Sequence, residues 1–450
     1  MPRVSRRVFA ASAAALPAAS YAQVPGANSR VRLGVIGVGN RGDQLLDAFL
    51  THPDQQVVAL ADVYAPYLPA AAAKVAKAAG TEPAAVKEYR RVLDRRDVDA
   101  VVIATPDHWH ALQFVDACQA GKHVYCEKPL SLTISEGRRM VEVARQTRRV
   151  TQVGLHRRSS PLVAEAVKLI RDGAIGKVTV AKSYHYRNES PVGIGNPPDG
   201  DPPAGLDYDL WLGPAPRAAF NRNKVLYKFR WFWDYSGGQL TNFGTHYLDV
   251  IQWAINRDAP KAVACLGGKF GVTDNRQIPD TLEAVWEYDG CLVTFSQFNC
   301  NASPGNPRGA TMEFRGTEGT IFLNDAATTL ELVPETVRTE ELPALSPLER
   351  EANAKQGRAT RQARMPYANK LPGDPTVLHA RSFLDGITKG TPTTCPVDVG
   401  HRSTTTTLLA RIALMRQRVL AWDAAAERVT NDADANRLLG YDYRAPYKLG

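Results

Sequence analysis

Two stretches of the sequence have the residue types and spacing of a chemical site. Gly37-Val38-Gly39-Asn40-Arg41-Gly42 sets three glycines in a Gly-x-Gly-x-x-Gly pattern, and Asp62 follows 20 residues beyond the last of them. Each part has a mechanical reason in a dinucleotide site. Gly37 permits a tight turn, Gly39 lets the backbone approach a pyrophosphate, and Gly42 lets the next helix pack close with its N-terminus facing the anion. Asn40 and Arg41 complete that turn as cofactor-binding candidates. Asp62 would accept hydrogen bonds from the adenosine ribose and repel a 2′-phosphate, and no Arg follows it closely, so NAD is favoured over NADP. The same carboxylate could instead cap the turn Val63-Tyr64-Ala65-Pro66. The second stretch runs from Gly237 to Trp253. If Thr241 caps a helix there, Asn242, His246, Asp249 and Trp253 share one face, with Phe243, Leu248, Val250 and Ile251 largely on other sides. A polar stripe on an otherwise apolar helix is where a buried site would be built, although a hydrogen-bonded core histidine is the alternative for His246.

The elements around these residues read as α/β. Val31 to Val38 is an apolar, β-branched run that leads through the glycine turn into a helical pattern, Gln44 to Leu50. Strands are expected at Gln56–Ala61, Ala100–Thr105, His123–Cys126 and Val150–Leu155, alternating with helices at Ala70–Ala79, His108–Ala120 and Ser135–Gln146. Such alternation means a doubly wound parallel sheet with right-handed crossovers, here an NAD-binding Rossmann domain over residues 30–155. After Gly176 the texture changes to longer alternating strands: Val178–Tyr186, Thr281–Tyr288, Leu292–Phe298, Thr311–Phe314 and Gly319–Leu323. Turn signals at Asp289-Gly290 and Gly316-Thr317-Glu318-Gly319 point to a large, mostly antiparallel sheet in an α+β domain over 156–450, serving substrate binding and oligomerisation. Ser190–Gly205 and Pro334–Asp374 read as surface excursions, and helices are expected at Val377–Thr388 and Ser403–Trp422.

Composition narrows the function. The 450 residues carry 55 Lys plus Arg against 46 Asp plus Glu, a net charge of +9, and 44% are hydrophobic, which excludes a disordered chain. No run of five Lys or Arg follows the N-terminus, so nucleic acid is not an expected partner. Ser5-Arg6-Arg7-Val8-Phe9 precedes an Ala-rich apolar stretch ending at Ser20-Tyr21-Ala22, which is similar to a twin-arginine export signal over residues 1–22. That stretch is short of the roughly 20 residues that span a bilayer, so a periplasmic or otherwise exported protein without stable membrane association is expected. The six cysteines show no metal spacing, and His108 and His110 lack a third ligand, so no metal is expected.

Two further motifs fall at strand ends: Ala104-Thr105-Pro106-Asp107-His108-Trp109-His110 and Glu127-Lys128-Pro129-Leu130. With them the chain resembles the glucose-fructose oxidoreductase / inositol dehydrogenase / rhizopine-catabolism family over nearly its whole length beyond the signal. The resemblance implies that the lysine of Glu-Lys-Pro lies beside the nicotinamide and the substrate carbon to be oxidised, which makes Lys128 the first catalytic candidate. An ammonium near a positive nicotinamide ring has a lowered pKa and can exchange a proton with a sugar hydroxyl near neutral pH. The family is similar at 237–253 too, with its His as acid or base, but ordinarily has Asp where this chain has Asn242. Asn orients a hydroxyl and cannot take its proton, so proton work falls to His246 and Lys128, with Asp249 orienting the imidazole. Thr105, Pro106, His110 and Glu127 are expected at the cofactor cleft. Tyr186 shares a strand face with Tyr184 and, like the aromatic run Arg230–Tyr235, could stack on a sugar or simply pack. Arg157, with Arg158, could clamp a carboxylate or phosphate or form a solvated turn.

Export shapes the mechanism, because an enzyme outside the cytoplasm has no NAD pool to reoxidise its cofactor. The expected activity is a hydride-transferring sugar oxidoreductase whose tightly bound NAD is recycled on the protein. The alternative is a glycosidase or lyase that oxidises its sugar transiently; family members of that kind resemble this chain in their export signal and in segments like Leu206–Gly213, while differing in the lysine motif. A third reading is a carbohydrate-binding protein with a structural nucleotide. A homo-oligomer is expected from the open sheet.

Overall fold

The first half builds a parallel sheet whose strands end at one edge. In the computed structural model, residues 30–324, 328–338, 360–362, 367–370 and 373–450 are described; the expected export signal and much of the 334–374 excursion lie outside them. The elements are β1 (Val31–Ile36), α1 (Asn40–Leu50), β2 (Gln55–Ala61), α2 (Leu68–Ala79), β3 (Ala84–Val86), α3 (Arg90–Leu93), β4 (Ala100–Ile103), α4 (Asp107–Gln119), β5 (His123–Cys126), α5 (Ile134–Thr147) and β6 (Thr151–Val153). Six parallel strands lie in the order β3-β2-β1-β4-β5-β6. All four residues of β4 are fully buried, as a strand covered by helices on both faces requires. One face packs Phe49 and Phe383 edge-on against Tyr125, and the other packs α4 and α5. A reciprocal capping box, Thr133 with Glu136, starts α5. The short β3 and α3 carry too few periodic residues to be legible in advance.

The second half comprises α6 (Pro161–Arg171), β7 (Val178–Asn188), α7 (Tyr208–Leu212), α8 (Gly238–Asn242), α9 (Gly244–Ile255), β8 (Ala262–Gly268), β9 (Thr281–Tyr288), β10 (Cys291–Phe298), β11 (Cys300–Asn301), β12 (Met312–Gly316), β13 (Gly319–Asn324), β14 (Thr329–Pro334), β15 (Thr336–Arg338), β16 (Thr360–Gln362), β17 (Tyr367–Lys370), α10 (Pro375–Lys389), α11 (Val397–Arg416), β18 (Leu420–Asp423) and β19 (Arg428–Val429). The large sheet runs β17-β14-β13-β12-β7-β10-β9-β8-β18-β19. It is mostly antiparallel but mixed, because β7 and β10 pair in parallel at its centre. Helices α6, α9 and α11 bury its inner face, where Trp286 donates to the Thr406 carbonyl at 3.0 Å.

Three expectations shift. The helix expected at 403–422 begins at Val397 and stops at Arg416, and its last residues instead form β18. Part of the 334–374 excursion joins the sheet, since β17 pairs with β14. Helix α6 was unanticipated, although Leu162, Val163, Ala166, Val167 and Ile170 form its buried stripe behind Pro161 and the Ser160 cap. No helix among the described residues is long and apolar enough to cross a membrane.

Candidate active site in the interdomain cleft

The glycine turn is built as its sequence requires. Gly37 has φ +83° and donates its N–H to the Ala61 carbonyl at 2.8 Å. A Cβ on Gly42 would stand 1.9 Å from the Gly37 oxygen, so only glycine lets α1 begin against the turn at Asn40. Beside the turn opens a cleft of about 1360 Å³, counting its solvent-filled mouth. Gly37, Gly39, Asn40, Arg41 and Asp62 line it, together with Thr105, Pro106, Glu127, Lys128 and Asn242. Asp62 caps the turn, the alternative read from the sequence: Oδ2 accepts the Val38 N–H at 2.9 Å and Oδ1 accepts the Tyr64 N–H at 2.8 Å, and the residue also lines the cleft. Burial pushes its pKa up. The open backbone at Gly37 and Gly39, the start of α1 and the acid across from it fit a dinucleotide with its pyrophosphate at the turn.

Three strands along the sheet from β2, strand β5 delivers Glu127 and Lys128 to the same cleft. Glu127 is buried and accepts Arg41 Nε at 2.8 Å, which ties the second motif to the glycine turn. Gly154 makes room for that carboxylate, since a Cβ there would meet it at 2.6 Å. Lys128 Nζ donates to Asn242 Oδ1 at 2.6 Å and to the Asn242 carbonyl at 3.2 Å. The Asn242 amide nitrogen in turn donates to Gln239 Oε1 at 3.0 Å, which fixes which way its oxygen points. Burial pushes the Lys128 pKa down to about 8; Glu127 opposes this, and the charges of Arg230 and Arg41 add to it.

Asn242 stands at a helix break rather than inside one helix. Thr241 lies within α8, its hydroxyl accepting the Gly237 N–H at 3.1 Å, and Phe243 separates α8 from α9. Thr241 therefore does not cap the helix that carries His246, Asp249 and Trp253. His246 is buried, its ring set edge-on to His156 at 4.8 Å, and its Nδ1 has no partner among the described residues. Burial, then the charges of Arg157 and Lys128, hold its pKa well below the ordinary value, so the imidazole is neutral.

Several expected site residues are placed elsewhere. Asp249 does not orient the imidazole; both its oxygens accept Arg158 Nε at 2.9 Å, and Ser403 donates to it at 2.6 Å. A fully buried carboxylate needs a paired cation, and Arg158 supplies it. His110 does not face the cleft: its ring nitrogens lie 2.8 Å from the carbonyl oxygens of Pro129 and Thr105, stapling the two strand-end motifs together from behind. Tyr186 sits on the sheet face opposite His185 and donates to the Gly309 carbonyl at 3.2 Å, outside the cleft wall. Arg157 is buried with its guanidinium 5.1 Å from the Tyr247 ring, behind the cleft wall. The aromatic run divides, with Trp231, Phe232 and Tyr235 in the core and Arg230 in the cleft wall. His108 donates Nε2 to the Trp211 carbonyl at 3.0 Å, and burial pulls its pKa down to about 3.

Three groups at the cleft or behind its wall were given no role of their own in the sequence reading. His156 lies 3.5 Å from Arg41 Nη2 and against His246. Asp107 borders the cleft, buried, with Ser236 donating to it at 2.6 Å. Arg230 lines the wall beside Tyr227 and Phe229. Asp107 and Arg230 lie within stretches singled out for other residues and His156 directly precedes Arg157, so their signal was position.

Comparison with known proteins agrees with this geometry. Residues 31–155 match the Gfo/Idh/MocA oxidoreductase family's NAD-binding Rossmann fold, and residues 161–300 match its C-terminal alpha/beta domain. A levoglucosan dehydrogenase of Pseudarthrobacter phenanthrenivorans is 34% identical over 317 residues, 65% of this chain and 73% of that one. A glycosyl hydrolase family 109 protein of Saccharopolyspora erythraea is 35% identical over 156 residues, 34% of each chain. The chain thus spans about a third of that relative's length, and a quarter of another of its kind from Streptomyces niveus. In structure, a levoglucosan dehydrogenase solved with NADH superposes with a TM-score of 0.62 at 19% identity, covering 87% of this chain and 99% of that one. The chain belongs to the glucose-fructose oxidoreductase / inositol dehydrogenase / rhizopine-catabolism family of oxidoreductases, and its Rossmann domain takes NAD.

Proposed function

We propose that the protein oxidises a CH–OH carbon of a sugar or sugar derivative, and that it is exported with its NAD lodged in the cleft and recycled on the protein. The observation that carries this reading is the placement of Lys128, a half-buried amine just past a strand end with its pKa pushed down to about 8, in the same cleft as Asp62 and three strands along the sheet from it. NAD, when bound along Asp62, the 37–42 turn, Thr105, Pro106 and Glu127, supplies the two-electron acceptor. Neutral Lys128 Nζ takes the proton of the sugar hydroxyl. Asn242 Oδ1 holds Nζ in place and, lacking a carboxylate's charge, leaves the amine easy to deprotonate. The neutral imidazole of His246, four residues beyond Asn242 and behind the lining of the cleft, is the second candidate for proton work. Asp249 and Arg158 brace α9 from behind.

Mixing the purified protein with aldoses and with aryl glycosides, while following 340 nm absorbance and products together, tests the reading. Absorbance gained with one sugar and lost with a second supports internal recycling. Release of the aglycone without net redox supports redox-assisted glycoside cleavage, which the partial likeness to the family 109 hydrolases favours as the second reading. No response to any sugar leaves a binding protein and refutes both.

A further inference from the structure

Arg230 lines the same cleft as Lys128, near enough that its charge depresses the lysine. Its guanidinium lies 4.0 Å over the Tyr227 ring, a contact that sets its plane and occupies none of its N–H donors. Among the described residues it makes no ion pair and no hydrogen bond. The chain under it is fixed: Lys228 Nζ donates to the Ile194 carbonyl at 2.9 Å, and buried Trp231 is stacked by Arg276 at 4.1 Å while its carbonyl accepts the Gln277 N–H at 3.0 Å. Asp107 couples electrostatically to Arg230 without pairing with it and accepts the Ser236 hydroxyl at 2.6 Å, while two other acids of the cleft lining are paired elsewhere, Glu127 with Arg41 and Glu88 with Arg90. The imidazole of His185, which feels the charge of Arg230, is held neutral by burial, so it does not add to that charge.

We infer that Arg230 is a substrate-specificity residue that receives an oxyanion, a carboxylate or phosphate carried by the sugar. This rests on the sugar-oxidoreductase reading and narrows its substrate to acidic sugars. A planar guanidinium with a free edge, backed by an aromatic ring, is built to bind a two-oxygen anion side by side, and at this place the anion would stand beside the hydroxyl that Lys128 deprotonates.

The test measures dissociation constants by calorimetry on the NAD-loaded full chain, with glucuronate, galacturonate and glucose 6-phosphate as probes against glucose and galactose. The inference predicts that at least one acid binds about 10- to 100-fold tighter than its neutral counterpart, that R230M removes this advantage, and that R230K restores part of it. The two uronates separate from the phosphate ester and so identify the oxyanion. Equal affinity for acids and neutral sugars in the unaltered protein overturns the inference. So does an acid preference that survives R230M, or an R230M protein whose loss is in NAD affinity, which would assign Arg230 to the cofactor. Because the readout is binding, an absence of any 340 nm change would refute the oxidoreductase reading separately.

Discussion

Replacing Asn242 with Asp puts a carboxylate where the amide oxygen now sits, 2.6 Å from Lys128 Nζ. The two side chains have nearly the same shape, so the change is electrostatic. Unit charges about 4 Å apart attract by ~4 kcal/mol at an effective dielectric of about 20, and partnered groups in proteins shift by about 1–3 pH units once desolvation has opposed that attraction. Lys128, now at about 8, would rise accordingly. If its neutral amine takes the sugar proton, the rate of sugar oxidation in the unaltered protein rises tenfold per pH unit below about 8 and levels above it. In N242D that limb moves alkaline by about 1–3 pH units, and the rate at pH 7 falls by roughly 10- to 1000-fold. The assay is the initial rate at 340 nm between pH 6 and 10. A limb that does not move in N242D, or that persists in K128M, would refute the assignment of the proton to Lys128.

Lys128 also costs the fold stability. Its fall from an ordinary 10.5 to about 8 corresponds to about 3 kcal/mol, at about 1.36 kcal/mol per pH unit. Because the folded pKa is the lower, this penalty is full below about 8 and fades as pH rises towards 10.5, so K128M should unfold at a higher temperature than the unaltered protein near pH 7 and lose that advantage near pH 10.5. In D249N the buried Arg158 loses its counter-charge, and unfolding in denaturant should show a loss of about 3–5 kcal/mol while the pH limb of the rate stays in place. A moved limb would return Asp249 to the proton chemistry. G42A forces a methyl onto the Gly37 carbonyl, and the protein should purify with most of its nucleotide absorbance gone.

The nucleotide half was legible because its signals are local. An apolar run, a glycine turn and an acid at the next strand end lie within about thirty residues, and each is a backbone requirement that sequence states directly. The strand-end motifs were legible for the same reason, and Lys128 lines one cleft with the glycine turn. What failed were side-chain pairings between distant segments. Asp249 was read with His246 because they share a helix, whereas its partner Arg158 is 91 positions away in sequence. His110 was read by its motif, whereas two carbonyls at 2.8 Å claim its ring. Tyr186 could not be assigned a sheet face, because face depends on register with β10 and β12 rather than on its own alternation. Arg230, which makes no ion pair among the described residues, was hidden in an aromatic run that reads as core, and much of that run is core.

The central claim, that a lodged NAD faces Lys128 and accepts two electrons from a sugar carbon, is tested most directly by isotope. The purified protein is incubated with sugars deuterated at carbon, denatured, and the released nucleotide is examined by mass spectrometry. The account predicts nearly stoichiometric NAD that has gained deuterium in the nicotinamide ring, and no gain in K128M on the same timescale at pH 7. Release of no nucleotide, or of NAD unlabelled by every sugar offered, would contradict it.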